Sequence, residues 1–295
     1  MSAKVTKVSV IGGYGKMGRW LARFLIGEGL QVTIAGRSLQ KLEEAARELG
    51  CRAAPLEQAV KQAEAIVISV PIGSFEAVVR QLSPYTRPGQ YVFDIASVKL
   101  QPVEIMHRYL SGCRILGTHP MFGPGATSLK AQRFVLTPVG DEEESLAARL
   151  SRLLESRGAK VAIMSPAKHD ELMGVVLGLA HFIALVSADT LLSLGSLKEA
   201  DEISGTSFRL LLTLAKAVLS EDPDFYSSLQ MNLPKVTEIE DVFLSKARIW
   251  LDMVKSHDTK GFAERMAYLK LKFEQADPGF SDTYKNVYRL LGELK

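Results

Sequence analysis

Cysteine is nearly absent from this chain. Cys51 and Cys113 are the only two in 295 residues, too few for a disulfide framework and without metal-ligand spacing. Both read as small buried hydrophobes, and no metal is expected. Charge of one sign is lacking as well: 36 lysines and arginines are interspersed with 33 aspartates and glutamates, for a net charge of +3. That balance argues against a nucleic-acid or membrane surface. No uninterrupted apolar run reaches the roughly 18 residues that a membrane span requires. Residues 1–7 lead into a strand so soon that no room is left for a signal peptide. Internal repeats and low-complexity segments are missing too. What remains, 47% apolar and 23% charged residues, describes a globular chain long enough for two domains. It is expected in the cytoplasm, with a small molecule as its partner.

The most informative stretch present is Val8-Ser9-Val10-Ile11-Gly12-Gly13-Tyr14-Gly15-Lys16-Met17-Gly18-Arg19. An apolar β-type run passes into Gly13-x-Gly15-x-x-Gly18 and then into an amphipathic helical pattern. In this reading Gly13 permits the tight turn, Gly15 lets the backbone approach a pyrophosphate, and Gly18 lets the helix pack closely on the strand. The helix N-terminus adds unpaired N–H groups and a partial positive charge. A dinucleotide is therefore expected against Gly13, Tyr14, Gly15, Lys16, Met17 and Gly18. Val70 and Pro71, at the end of a later strand, complete these candidates.

Further strands are expected at 31–35, 65–71, 91–94, 114–117, 134–137 and 160–164. Helices fall at 20–26, at 39–49 behind an N-cap at Ser38, after a cap at Ser74, at 102–109 and at 142–155. Alternation of this kind builds a parallel sheet, so residues 1–165 read as a Rossmann-type α/β domain. From about Ser165 the alternation stops. Helical patterns over 167–194, 197–219, 224–254 and from 262 onward make 166–295 an all-α domain for substrate and dimerisation. Its apolar surplus along 172–195 points to burial between protomers, and a homodimer through these helices is expected.

The choice of dinucleotide turns on another absence. An NAD site places an acid at the end of the second strand, yet no Asp or Glu occurs between residues 29 and 42. Gly36-Arg37-Ser38 stands there instead. A carboxylate would repel a 2′-phosphate, whereas arginine forks two hydrogen bonds to it. Ser38 and Lys41 add donors, and NADP is expected over NAD.

Two stretches carry the chemistry. Asp94-Ile95-Ala96-Ser97-Val98-Lys99 ends one strand, and Gly117-Thr118-His119-Pro120-Met121-Phe122-Gly123-Pro124 follows another. Ligands of open α/β sheets bind outside the carboxyl ends of strands, so Ser97 and His119 are expected to face the nicotinamide together. A histidine in a Gly/Pro-rich loop is well placed to exchange protons near neutral pH.

These two motifs resemble the prephenate/arogenate dehydrogenase family of tyrosine biosynthesis. The resemblance runs on through Lys168-His169-Asp170, His181 and Asp222-Pro223-Asp224-Phe225-Tyr226. It implies a nucleotide-binding domain followed by a helical dimer-forming domain, and an oxidative decarboxylation in which the ring becomes aromatic. Carried over, His119 would accept the proton of the ring hydroxyl, Ser97 would orient His119 against the nicotinamide, and His181 would line the substrate pocket. The family's arginine, five residues before the Asp-Pro pair, is replaced by Ala217. Arg209 and Lys216, on the same helical face, and Arg133 and Lys130, after the His-Pro loop, are the candidate cations in its place. The departure keeps a second enzyme reading open, a relative acting on another carboxylated cyclohexadiene or a hydroxy acid. A third is a non-catalytic NADP-binding regulator.

Overall fold

The computed structural model describes residues 5–293. The chain divides into two compact units: residues up to Met173 with Met231–Leu233, and Gly174–Gln230 with the residues from Pro234 onward.

The first unit alternates strand and helix. It begins β1 (Lys7–Ile11), α1 (Lys16–Gly27), β2 (Gln31–Ala35), α2 (Leu39–Leu49), β3 (Arg52–Ala53), α3 (Leu56–Gln62) and β4 (Ala65–Ile68). It continues α4 (Ile72–Leu82), β5 (Tyr91–Asp94), α5 (Leu100–Tyr109), β6 (Arg114–Pro120), β7 (Arg133–Thr137), α6 (Asp141–Glu155), β8 (Lys160–Ile163) and α7 (Pro166–Met173). All eight strands form one sheet in the order β3-β2-β1-β4-β5-β6-β7-β8. Neighbours run parallel, as the alternation of strands and helices implied, except β6 and β7, which pair antiparallel. The chain moves outward from β1 to β3 and then returns to lay β4 on the other side of β1. That reversal opens a crevice at the carboxyl ends of β1 and β4, where ligands of such sheets bind.

Period-two alternation sends successive side chains of a strand to opposite faces. Ile66, Ile68, Val92 and Ile115 enter one core with Phe75 and Val79 of α4 and Met106 of α5. Leu116, one residue on from Ile115, packs on the other side with Trp20 of α1 and Leu146 of α6. Both faces are covered, which is why these strands read as unbroken apolar runs. Burying Phe75 completely contributes about 1.5–3 kcal/mol. Cys51 and Cys113 are free and half-buried, and burial pushes both thiols up.

Local chemistry explains the element ends. Ser38 caps α2, its hydroxyl accepting from the Lys41 N–H at 3.4 Å. Ser74 does not cap α4. That helix starts earlier, behind Pro71, and the Ser74 hydroxyl donates to the Pro71 carbonyl within the first turn.

The second unit is helical: α8 (Ala180–Ser193), α9 (Leu197–Glu202), α10 (Thr206–Leu219), α11 (Pro223–Asn232), α12 (Val236–Lys255), α13 (Thr259–Ala276) and α14 (Thr283–Glu293). A π-helical turn over Gly174–Leu179 precedes α8. The helices expected over 197–219 and 224–254 are each broken in two. Ile203, Ser204 and Gly205 interrupt the first; at the second, Pro234 lacks an N–H to continue a helix and Lys235 takes a left-handed φ of 57°. The backbone is helical from Pro166 to Ser193, and its most apolar stretch has a mean hydropathy of 2.0 with only 17% of it buried. On length and composition this helix could cross a membrane, which the sequence reading did not foresee because it required an uninterrupted apolar run. Val175, Val176 and Val186 are among its exposed apolar side chains.

Candidate active site

The turn after β1 is built around close backbone approaches. Gly12, not Gly13, adopts the left-handed conformation, with φ of 86°. A Cβ on Gly12 would lie 2.0 Å from the carbonyl oxygen of Ser69, past the end of β4. Gly13 instead admits the Ile34 side chain of β2, 2.5 Å from where its Cβ would be. The division of labour among the glycines therefore differs from the sequence reading at Gly13. Gly18 does what was expected: its Cβ would strike the Gly12 carbonyl at 2.3 Å, so α1 packs tightly on the turn.

This cradle fits a dinucleotide pyrophosphate. Gly15 is the N-cap of α1 and no side chain caps the helix, leaving its first N–H groups for an anion. Tyr14 stands beside Gly36, whose Cβ would meet the tyrosine ring at 2.6 Å. Met17 is half-buried and Lys16 is exposed. Val70 borders Gly12, and Pro71 is exposed at the start of α4. Past the end of β2, Arg37 and Lys41 are exposed, and neither side chain is engaged among the described residues.

At the ends of β5 and β6 a buried ion pair ties two loops together. Asp94 and Lys99 are both fully buried and Lys99 Nζ donates to Asp94 Oδ2. Lys99 Nζ also donates to the Thr118 carbonyl at 2.7 Å, while Asp94 accepts from Ala96 N at 2.9 Å and Thr118 N at 3.3 Å. Burial pushes the Asp94 carboxyl up and the Lys99 ammonium down, each opposed by the other's charge. This pair explains why an aspartate and a lysine flank Ser97 in the motif. It fixes the β5–α5 loop against β6, the strand that carries His119.

His119 is in β6, not in a loop. Residues 117–120 pair with β7, His119 opposite Val135, and only 5% of His119 is exposed. Pro120 is tolerated at the strand end for a reason of register. Met121 N donates to the opposing Arg133 carbonyl at 2.8 Å, so the Pro120–Phe134 pair between the bonded pairs requires no N–H toward β7. On its other side β5 has already ended, at Asp94 opposite Gly117. The following loop is anchored by Phe122, whose ring packs on Trp20 at 4.8 Å and Phe134 at 5.3 Å.

His119 Nδ1 lies 2.8 Å from Nε2 of His169, on α7, and His169 Nδ1 lies 2.7 Å from Asp170 Oδ1. Asp170 also accepts from the backbone N–H groups of Lys99 at 2.7 Å and Leu100 at 2.9 Å, which begin α5. Nε2 of His119 has no protein partner among the described residues. Ser97 is half-buried and makes no hydrogen bond to His119, so the orienting partner expected in Ser97 is His169. His169 and Asp170 were visible in the sequence only as part of a motif; nothing in their spacing ties them to a strand 50 residues away. Burial, together with the charges of His169 and Lys99, holds His119 well below the ordinary histidine value of 6.5.

The remaining candidates are distributed over both units. Arg133 is exposed at the start of β7; two residues from Val135, it emerges on the sheet face that His119 shares. Lys130 is exposed in the loop before it. In the helical unit His181 packs edge-on against the Tyr226 ring at 4.7 Å. Its Nδ1 is buried without a hydrogen-bond partner among the described residues, and burial lowers its pKa. On α10, Lys216 pairs with Asp201 at 3.6 Å, while the exposed Arg209 makes no ion pair among the described residues.

Comparison with known proteins matches residues 21–163 to the family described as prephenate dehydrogenase, nucleotide-binding domain. Residues 165–268 match prephenate dehydrogenase, dimerization domain. The first match begins just beyond the glycine loop. The chain is 31% identical over 293 residues to a probable arogenate/prephenate dehydrogenase of Methanocaldococcus jannaschii, covering 98% of this chain and 66% of that protein. It is 24% identical to a 4-amino-4-deoxyprephenate dehydrogenase of Streptomyces pristinaespiralis, over 76% of this chain and 77% of that one. Among solved structures, prephenate dehydrogenase from A. aeolicus in complex with hydroxyphenyl propionate and NAD+ superposes with a TM-score of 0.76 at 21% identity. It covers 94% of this chain and 100% of its own, and shows that the fold is shared. The chain belongs to the prephenate dehydrogenase family.

Proposed function

We propose that this protein is an NADP-dependent oxidoreductase that oxidatively decarboxylates prephenate or arogenate, giving 4-hydroxyphenylpyruvate or tyrosine. The observation that carries the reading is His119: a buried imidazole at the carboxyl edge of the sheet, one nitrogen held by the protein and the other unbonded. Its Nε2 takes the proton of the ring hydroxyl as that carbon becomes a carbonyl carbon. When the ring carboxylate leaves as CO2, its electron pair flows to the oxygen, and His119 returns the proton to the resulting phenolate. Such general-base and general-acid help is worth about 10²–10⁴ in rate. The Gly12–Gly18 turn and the α1 N-terminus would hold the cofactor's pyrophosphate, and its nicotinamide would supply the hydride acceptor. Ser97, in the β5–α5 loop, would face it. Arg37, Ser38 and Lys41 favour a 2′-phosphate, and hence NADP over NAD.

His181, Arg209, Lys216 and Arg133 are the proposed contacts to the substrate and its carboxylates, with Arg209 the foremost replacement for an arginine at Ala217. A homodimer through the helical unit accounts for the exposed apolar side chains of 172–195 and agrees with the description of the matched domain. A second substrate reading, another carboxylated cyclohexadiene, is favoured by Ala217 and by the likeness to the S. pristinaespiralis enzyme. The test is the appearance of reduced-nicotinamide absorbance with prephenate and with arogenate, NADP and NAD in parallel. Turnover of either with NADP is expected. Silence with both, under tight NADP binding, would reject these substrates in favour of the second reading.

A further inference from the structure

The hydrogen-bond chain behind His119 has a direction. Asp170 accepts two backbone N–H groups as well as His169, so it is an ionised acceptor and His169 Nδ1 carries a proton toward it. The lone pair on His169 Nε2 then faces His119 Nδ1 at 2.8 Å. His119 Nδ1 must donate, and its Nε2 is left as the unprotonated nitrogen. The same chain resolves an energetic conflict. Charging His119 in place is opposed by burial, by a charge on His169 and by Lys99, whereas His169 is in contact with a carboxylate.

We propose that His119, His169 and Asp170 form a proton relay in which His169, a positioning residue that does not touch the substrate, holds the borrowed proton during the reaction. As Nε2 of His119 takes the substrate's proton, the Nδ1 proton of His119 passes to Nε2 of His169. The positive charge thereby comes to rest beside Asp170, which stays ionised. When the phenolate forms, both protons move back and no proton is released to solvent. The surrounding ionisable groups are Asp94 and Lys99, paired with each other; on the same helix Lys168 and Glu171 pair at the surface at 2.9 Å. This inference rests on the reading of His119 as the base, and its test separates the two.

The first measurement is 15N NMR of histidine-labelled full-length protein without substrate. It should show His119 protonated on Nδ1 and unprotonated on Nε2, and His169 protonated on Nδ1 and unprotonated on Nε2. The second is His169→Gln, whose amide oxygen still accepts from His119 Nδ1–H but cannot take up a proton. Cofactor affinity should be unchanged and kcat about 100-fold lower. KM for the acid should stay unchanged, because His169 does not touch the substrate, so the whole loss falls on kcat. His169→Phe, which also loses the orienting bond, should be slower still. A His119 protonated on Nε2 in the resting protein, or a His169→Gln enzyme with unaltered kcat or with its loss in KM instead, overturns the relay. Failure of the unaltered protein to turn over either acid would count against the proposed function alone, since the NMR measurement decides the relay without turnover.

Discussion

Replacing Lys99 by methionine isolates the buried ion pair, because methionine keeps most of the lysine stem's volume and removes only the charge. Asp94 would keep the N–H groups of Ala96 and Thr118 but lose its cationic partner Lys99, and the Thr118 carbonyl would lose the Lys99 donor. Removing one member of a fully buried pair costs about 3–5 kcal/mol. For a unit of this size each kcal/mol is about 2–4 °C, so Lys99→Met should lower Tm by about 6–20 °C. The double variant Asp94→Asn/Lys99→Met removes both charges of the pair and should recover at least half of that loss. The deficit should also depend on pH. Burial raises the Asp94 carboxyl, and without Lys99 nothing of opposite charge resists that rise. A folded-state pKa above the unfolded one stabilises the protein at low pH and loses that contribution as pH rises through the folded value. The single variant should therefore be nearest to the parent near pH 5 and farthest from it at pH 8. Thermal denaturation followed by circular dichroism at pH 5, 7 and 8 reads all three effects. A Tm shift under 2 °C, or a double variant no more stable than the single, would refute the reasoning.

Four other outcomes follow from the same geometry. His119 and His181 have folded-state values below the ordinary 6.5, so the unfolded chain binds their protons first as pH falls below about 6.5. Stability should then drop by up to about 1.4 kcal/mol per pH unit for each such group, and urea titrations of His119→Gln should lose its share of that slope. Arg37→Asp should weaken NADP binding by about 10–100-fold, the worth of a charge-assisted hydrogen bond, and leave NAD nearly unaffected; equal loss for both in fluorescence titrations would remove Arg37 from the 2′-phosphate. Gly12→Ala, strained at φ of 86° and against the Ser69 carbonyl, should cost over ~1 kcal/mol from its backbone alone and abolish cofactor binding, readable as a lowered Tm that NADP no longer raises. Sedimentation equilibrium of the full chain should give twice 32.3 kDa, and a monomer at micromolar concentration would exclude the helical interface.

How much of this was legible in the sequence depended on whether the information was local. The bounds of β2, β5 and α2 follow from apolar period, a serine cap and Gly50, all within a few residues. The carboxyl-edge placement of Ser97 and His119 follows from strand order alone. Gly12 and Gly13 could not be told apart, because which one turns depends on β4 and β2 arriving beside them. His119 reads as a loop residue because Gly117 and Pro120 bracket it; only the register with β7, set from 16 residues downstream, shows that both fit a strand. The partners of His119 come from α7, and a pairing across 50 residues leaves no mark on spacing. The breaks at Ser204-Gly205 and Pro234 were visible as residues, but helical patterns on both sides of each concealed them.

The register of β6 has one more consequence. Met121 and Arg133 form a bonded pair, so His119 and Val135, two positions back, exchange both of their ladder bonds. The amide of the proposed base therefore belongs to the interior of the sheet, and its hydrogen exchange should wait for opening of the whole first unit. The position of the proposed base is thus set by the sheet itself and not by any loop.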